Sequence, residues 1–157
     1  MLVRTLTPDD WRLARDTRIA AVTEAPDAFA SDLAGQLALT EADWRAHLTR
    51  AAGIRAVAEV DGAVAGLVGG YVHDGAGEII WMWVDPRYRG RRVGEALVAH
   101  VAAWSREQGL PCVLWVVEDN KPAIRLYERL GFVPTGGRQP VPGDPSRVEF
   151  QMALPDR

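Results

Sequence analysis

The stretch richest in reactive and charged groups is "VDPRYRGRRVGEAL", residues 84–97. Arg87, Arg89, Arg91 and Arg92 crowd together with Gly90 and Gly94 among them, and an apolar helical pattern follows. The start of a helix exposes unpaired N–H groups and the positive end of a dipole, which suits a phosphate. Glycines let the backbone turn such amides toward a ligand, and arginine adds bidentate contacts to a pyrophosphate. Taken alone, the pattern admits three occupants: a phosphate-bearing ligand, a nucleic-acid backbone, or water around a solvated basic helix start.

Two further side chains could move protons. Tyr127 lies in "NKPAIRLYERLG", whose helical spacing puts Ala123, Leu126, Tyr127 and Leu130 on one side. It reads either as core or as a phenol placed to donate a proton. Glu78 opens "EIIWMWV" and by strict alternation shares a face with Ile80 and Met82. A buried carboxylate there could act as a base and would hold its proton more tightly. A strand-end carboxylate in solvent is the alternative. Glu118 and His73 are weaker candidates for the base, and His47 and His100 read as surface residues of helices. No grouping of His, Asp and Glu has metal-ligand spacing, so no metal is expected.

Those groups need a scaffold, and 157 residues suffice for one domain over 1–157 with a continuous core. Hydrophobic residues at 48% and charged residues at 25% are globular values. The formal net charge of −3 argues against broad binding to nucleic acid, which removes one occupant of the arginine stretch. A lone cysteine, Cys112, excludes an internal disulfide. No apolar run approaches the roughly 18 residues of a membrane span, and no signal-peptide pattern opens the chain. A cytoplasmic protein with no membrane partner is the expectation.

The element order follows from periodicity and turn chemistry. "MLVRTL" is a first strand; "TPDDWRLARDTRIAAV" is a helix capped by Thr7, with a stripe of Trp11, Ala14, Ile19 and Val22. A second helix starts at Thr40. Asp61-Gly62 joins "IRAVAEV" to "AVAGLVGGYV" as a type I′ hairpin, and a turn at Gly75–Gly77 leads into "EIIWMWV". That strand is apolar on both faces, with Ile80, Met82 and Val84 on one and Ile79, Trp81 and Trp83 on the other, so it belongs mid-sheet. A helix from about Val93 to Gln108 carries the stripe Val93, Leu97, Val101 and Trp104. The strand "CVLWVV", the Tyr127 helix, a strand opening at Phe132-Val133, a stiff loop "PTGGRQPVPGDPS" and the strand "RVEFQMAL" complete the chain. The order β-α-α-β-β-β-α-β-α-β-β predicts an α/β domain with a mixed, largely antiparallel central sheet flanked by helices.

The arginine stretch is similar to the coenzyme A pyrophosphate loop of the GNAT acetyltransferase superfamily, R/Q-x-x-G-x-G/A after a strand ending in Val-Asp-Pro. Arg89 fills the first position and Gly94 the last, while Arg92 stands where a glycine is expected. "LWVVEDNKPAIRLYERLGF" resembles the later block of the same family at Asn120, Ala123, Tyr127, Gly131 and Phe132. The resemblance spans about residues 50–154.

That resemblance implies an N-acetyltransferase using acetyl coenzyme A (acetyl-CoA), with the two middle strands "EIIWMWV" and "CVLWVV" splayed to admit the pantetheine arm. Main-chain groups of Met82, Trp83 and Val84 would hold the arm and polarise the thioester. Arg89, Gly90, Arg91, Arg92, Val93, Gly94 and Glu95 would wrap the pyrophosphate. Asn120 and Ala123 would line the arm, and Tyr127 would protonate the leaving thiolate. Asn120 suits a helix N-cap as well. The implied acceptor is a primary amine on a small molecule or amino-acid derivative. A protein or peptide acetyltransferase and a non-catalytic coenzyme A binder are the alternatives. The loops "EAPDAFASDLAGQLAL" and "PTGGRQPVPGDPS" would flank the acceptor, with Trp81, Trp83 and Trp115 near it; other tryptophans read as core or as contacts of a homodimer.

Overall fold

The computed structural model describes residues 1–28 and 33–156. Two-residue turns shape the middle of the sheet. β2 (Ile54–Val60) and β3 (Ala63–His73) meet at Asp61-Gly62, where φ is 51° and 79°, both in the left-handed region that a type I′ turn demands. Asp74-Gly75 repeats the device with φ of 49° and 73°, so β4 (Ala76–Val84) starts at Ala76, before the end of the turn expected at Gly75–Gly77. With β1 (Leu2–Thr5), β5 (Cys112–Val117), β6 (Val133–Val141) and β7 (Asp144–Leu154) these strands form one seven-stranded sheet in the order β1-β2-β3-β4-β5-β7-β6. Only β4 and β5 run parallel. A helix must carry the chain from the end of one to the start of the other.

That crossover helix is α4 (Val93–Glu107). It beds onto one face of the sheet at positions without side chains: a Cβ on Gly66 would strike Leu97, one on Gly70 Val101, and one on Gly77 Ser105. The expected stripe is buried at Val93, Leu97 and Val101, and Ser105 joins it. The Ser105 hydroxyl lies 3.0 Å from the Leu110 carbonyl and 3.2 Å from that of Pro111, tying the helix to the entry of β5. α5 (Lys121–Arg129) packs on the same core through Ala123, Leu126 and Tyr127.

The other face carries α1 (Trp11–Glu24), the short α2 (Leu33–Ala38) and α3 (Glu41–His47), around a smaller core of Leu6, Ala14, Leu48, Val57 and Leu67. The buried side of α1 is Ala14, Thr17, Arg18, Ala21 and Val22; Ile19 is only half-buried, because the inward stripe is centred one residue away from the expected one. The segment "PTGGRQPVPGDPS" is not a loop but most of β6, the turn and the start of β7. Its prolines are tolerated because β6 is an edge strand with register breaks at Pro134/Arg138 and Pro140/Val141.

His47 and His100 are not simple surface residues. His47 sits edge-on to Trp44 (5.8 Å) and Trp81 (5.4 Å), and His100 Nε2 meets Thr5 Oγ1 at 2.8 Å. Burial holds both imidazoles below the ordinary value of 6.5, and nearby Arg55 and Arg18 lower His47 further. The unfolded chain therefore takes up these protons at a pH where the folded chain still refuses them. Stability is full above about pH 6.5 and declines as the pH falls toward the depressed folded values. Melting temperatures measured between about pH 7.5 and 5.5 should fall with pH, and a His47→Gln variant should show a shallower fall.

Candidate active site

The parallel ladder between β4 and β5 is three residue pairs long: Gly77 with Cys112, Glu78 with Val113, Ile79 with Leu114. Past Ile79 the strands diverge, and a cleft of about 1110 Å³ opens between them. Main-chain groups on that edge of β4 lack a strand partner, so any ligand entering meets ready-made donors and acceptors. The splay expected of the two middle strands is present.

A bulge sets how β4 faces the cleft. Leu67 pairs with Trp83 and Gly69 with Ile80, so Trp81 and Met82 together oppose Val68. Trp81 takes φ of 60°, a left-handed conformation costing an L-residue roughly 1–2 kcal/mol. The extra residue breaks the alternation read from sequence. Ile79, Met82 and Val84 pack on the α4 core, while Trp81 packs on the smaller core and Trp83 reaches Glu24 on α1. Glu78 therefore shares its face with Ile80 and Trp81, not with Met82.

Glu78 is buried, 8% exposed, and lines the cleft. Its register partner Tyr71 stands opposite it, and burial, then the neighbouring Glu78 carboxylate, push the Tyr71 phenol up to about 12. Tyr71 also stacks on His73 at 5.5 Å. Across the cleft, β5 and β7 present Trp115 beside Gln151 and Val117 beside Glu149. The Gln139 amide donates to Glu149 Oε1 at 2.7 Å, fixing that carboxylate. Arg18 of α1 lines the same end; burial, then repulsion from Arg55, brings its guanidinium down to about 10, so it stays cationic at neutral pH.

The floor comes from α5. Tyr127 lines the cleft yet is only 7% exposed, edge-on to Phe132 at 6.0 Å, and burial raises its phenol to about 12. A phenol so raised keeps its proton across the neutral range. Asn120 Oδ1 accepts from the Ala123 amide at 3.4 Å, and both residues line the cleft, so the N-cap reading holds without removing Asn120 from the site.

The mouth is the start of α4. The first amide bonded within the helix is that of Ala96, to the Arg92 carbonyl at 3.2 Å, which leaves the amides of Val93, Gly94 and Glu95 without a helical acceptor. Arg92 adopts the left-handed conformation, φ of 62°, that a glycine would take freely. Gly94 fits between Met82 and Leu126, where a Cβ would come within 3.1 Å of each. Arg91 lies over the Tyr88 ring at 5.6 Å, and Glu95 pairs with Arg129 at 3.7 Å. Arg89 is engaged inside the protein: Nη2 meets both Glu24 carboxylate oxygens at 3.0 and 3.2 Å, and Nε donates to the Val84 carbonyl at 3.1 Å.

The sequence-predicted residues on β4, α4 and α5 line one cleft except Arg91, which turns to the Tyr88 ring beside it; of the weaker base candidates His73 lines the cleft, whereas Glu118 lies outside it, paired with Arg138 at 2.8 Å. Glu24, Tyr71, Gln139 and Glu149 also line or face it and were not singled out. Tyr71 was within reach, since a two-residue turn at Asp74-Gly75 places it opposite Glu78. Glu24 and Glu149 carried no comparable signal, because long-range packing brings them in. The segment 24–39, expected as a loop beside the acceptor, carries α2 at Leu33–Ala38 instead, and its residues 29–32 lie outside the described residues. Among the described residues, no three His, Cys, Asp or Glu side chains come together as a metal site, and no helix is long and apolar enough to cross a membrane.

The sequence model of the acetyltransferase (GNAT) family matches residues 19–132. The mycothiol acetyltransferase of Thermomonospora curvata is 44% identical over 78 residues, 48% of this chain and 26% of the relative. The chain thus spans about a quarter of that relative's length. The structure superposes on a GNAT-family acetyltransferase from Streptococcus pneumoniae with a TM-score of 0.78 and 22% identity, covering 97% of this chain and 96% of the other. It also superposes on the PaiA N-acetyltransferase of Thermoplasma acidophilum in complex with coenzyme A, with a TM-score of 0.72 and 15% identity over 97% and 98%. These two likenesses concern the fold.

Proposed function

Because the chain belongs to the acetyltransferase (GNAT) family, we propose that it transfers an acetyl group from acetyl-CoA to the primary amine of a small molecule or amino-acid derivative. The observation that carries this reading is the open β4–β5 cleft, with unpaired helix amides at its mouth and a buried phenol on its floor. The amides of Val93, Gly94 and Glu95 fit a pyrophosphate, and Arg91 and Arg92 add charge beside them. The edge of β4 from Met82 to Val84, which has no strand beside it, fits the amide-bearing arm, with Asn120 and Ala123 opposite. Acetyl-CoA supplies an acyl group already activated as a thioester.

The chain's own residues then divide the work. Main-chain N–H groups on the bulged edge of β4 polarise the thioester carbonyl, a contribution of about 100- to 1,000-fold per donor in comparable sites. Glu78, buried and opposite Tyr71, takes the proton of the attacking amine directly or through a water. As the new C–N bond forms and the C–S bond breaks, Tyr127 gives its proton to the leaving sulfur. The acceptor end is walled by Glu78, Glu149, Trp115, Gln151 and the cationic Arg18, which suits an amine that also carries an apolar or anionic portion.

The defining experiment is thiol release from acetyl-CoA across a panel of small amines, amino-acid derivatives and short peptides. Turnover with small amines supports the reading, turnover with peptides alone redirects it to protein substrates, and coenzyme A binding without turnover reduces it to a binding module. On an accepted amine, Tyr127→Phe should lower kcat by roughly 10- to 1,000-fold with little change in cofactor affinity, because the lost proton matters chiefly in the transition state. A packing role alone would lower the melting temperature and spare kcat. The Glu24 carboxylate competes with a pyrophosphate for the Arg89 guanidinium, and an exposed ion pair of this kind contributes at most about 1 kcal/mol. Glu24→Gln should therefore tighten coenzyme A binding by about two- to five-fold in calorimetry. Weaker binding would mean instead that Glu24 holds Arg89 in its binding posture.

A further inference from the structure

Arg55 on β2 is 5% exposed, and its charge has no role in the chemistry described so far. Among the described residues no carboxylate pairs with it, and burial brings its guanidinium down to about 10. An isolated buried charge is costly, and an apolar side chain of similar length would be the cheaper core residue. Its contacts identify what the charge holds. Nη1 donates to the carbonyls of Ile54 (3.1 Å) and Gly70 (3.2 Å), which fixes the guanidinium across the β2–β3 ladder. The guanidinium lies 4.5 Å from the centre of the Trp81 ring, and the stem crosses Gly69, where a Cβ would come within 2.7 Å of Arg55 Cδ.

Trp81 is the β4 residue in the left-handed conformation, at the bulge that turns the strand edge into the cleft. Its indole is held from several sides. Arg55 and Arg18, at 5.0 Å, meet it as cations, and Trp44 and His47 meet it edge-on at 6.2 and 5.4 Å. A strained backbone persists only where its surroundings over-determine it. Gly69 pairs with Ile80, the residue immediately before the bulge, so the Arg55 stem runs directly beneath it.

We propose that Arg55 is a positioning residue for acetyl transfer: by clamping the Trp81 indole it holds the β4 bulge that aims the Met82–Val84 main chain at the thioester carbonyl. The proposal rests on the acetyltransferase reading of the cleft. Arg55 touches neither donor nor acceptor; it acts through Trp81, and reading the carbonyl resonance separates that route from its electrostatic influence on Tyr71 beside Glu78. A cation held over an indole is strongest when desolvated, which gives its burial a purpose. Lysine keeps the charge but lacks the flat guanidinium that can meet the ring and reach two carbonyls at once.

The test reads the carbonyl itself and needs no acceptor. Acetyl-CoA labelled with ¹³C at the acetyl carbonyl is bound to the full chain, and its ¹³C resonance is compared with that of the free compound. Hydrogen bonding from β4 should move the bound wild-type signal downfield. Arg55→Lys and Arg55→Met should each lose more than half of that displacement, while coenzyme A affinity stays within about two-fold because the pyrophosphate end is untouched. On an amine accepted by the wild type, kcat should fall by about 10-fold or more in both variants. Val101→Ala, which destabilises the core on the opposite face of the sheet, should lower the melting temperature and leave the carbonyl signal in place. Should Arg55→Met fail to fold, Arg55→Lys decides. A full wild-type displacement in Arg55→Lys overturns the proposal and leaves Arg55 a packing residue. If the wild type binds acetyl-CoA but shows no displacement, the positioning proposal falls while the binding reading stands. If the wild type does not bind acetyl-CoA, both fall.

Discussion

Everything at the site depends on a ladder that stops early. β4 and β5 share three residue pairs and then part, although both strands continue. A sheet normally satisfies its main-chain groups from neighbour to neighbour, and an interior gap leaves them exposed to whatever enters. Two features keep the gap open. The α4 crossover seats Leu97, Val101 and Ser105 over Gly66, Gly70 and Gly77, which fixes β3 and β4 along the length of the helix. The bulge at Trp81 then changes the phase of β4, so that Met82 and Val84 face the α4 core while Trp83 turns to α1. A regular strand would present the opposite set.

The electrostatics of the cleft divide along its length. At the mouth the unpaired amides of the α4 start lie among Arg89, Arg91 and Arg92, suited to a strongly anionic group. At the far end stand the carboxylates Glu78, opposite Tyr71, and Glu149, held by Gln139, together with the cationic Arg18. Between them sits Tyr127, whose burial keeps its proton on the oxygen at neutral pH.

Glu24 links these regions to the helical side of the molecule. Its carboxylate accepts from the Trp83 indole at 2.8 Å and from Arg89, so the end of α1, the β4 edge and the α4 loop meet at one side chain. The Val84 carbonyl is drawn into the same group through Arg89 Nε.

Much of this molecule was legible in local sequence. The hairpin turn at Asp61-Gly62, the α4 and α5 stripes, the helix start with its glycines and arginines, and the pairing of Tyr127 with Asn120 on one helix depend on neighbours within a few residues. Chain chemistry and periodicity determine such features. The strand content of residues 134–146 was not legible, because prolines and glycines signal a loop unless an edge position and register breaks accommodate them. The face of Met82 was not legible either, since a bulge is set by the partner strand and by the cage around Trp81 rather than by alternation along β4. Local sequence therefore determined most of the elements, though not β6 or α2, and the residue types at the cleft. Tertiary packing alone decided where the sheet opens, which way the β4 edge points, and that Arg55, Glu24 and Glu149 come close to it, because those outcomes depend on contacts between segments far apart in the chain.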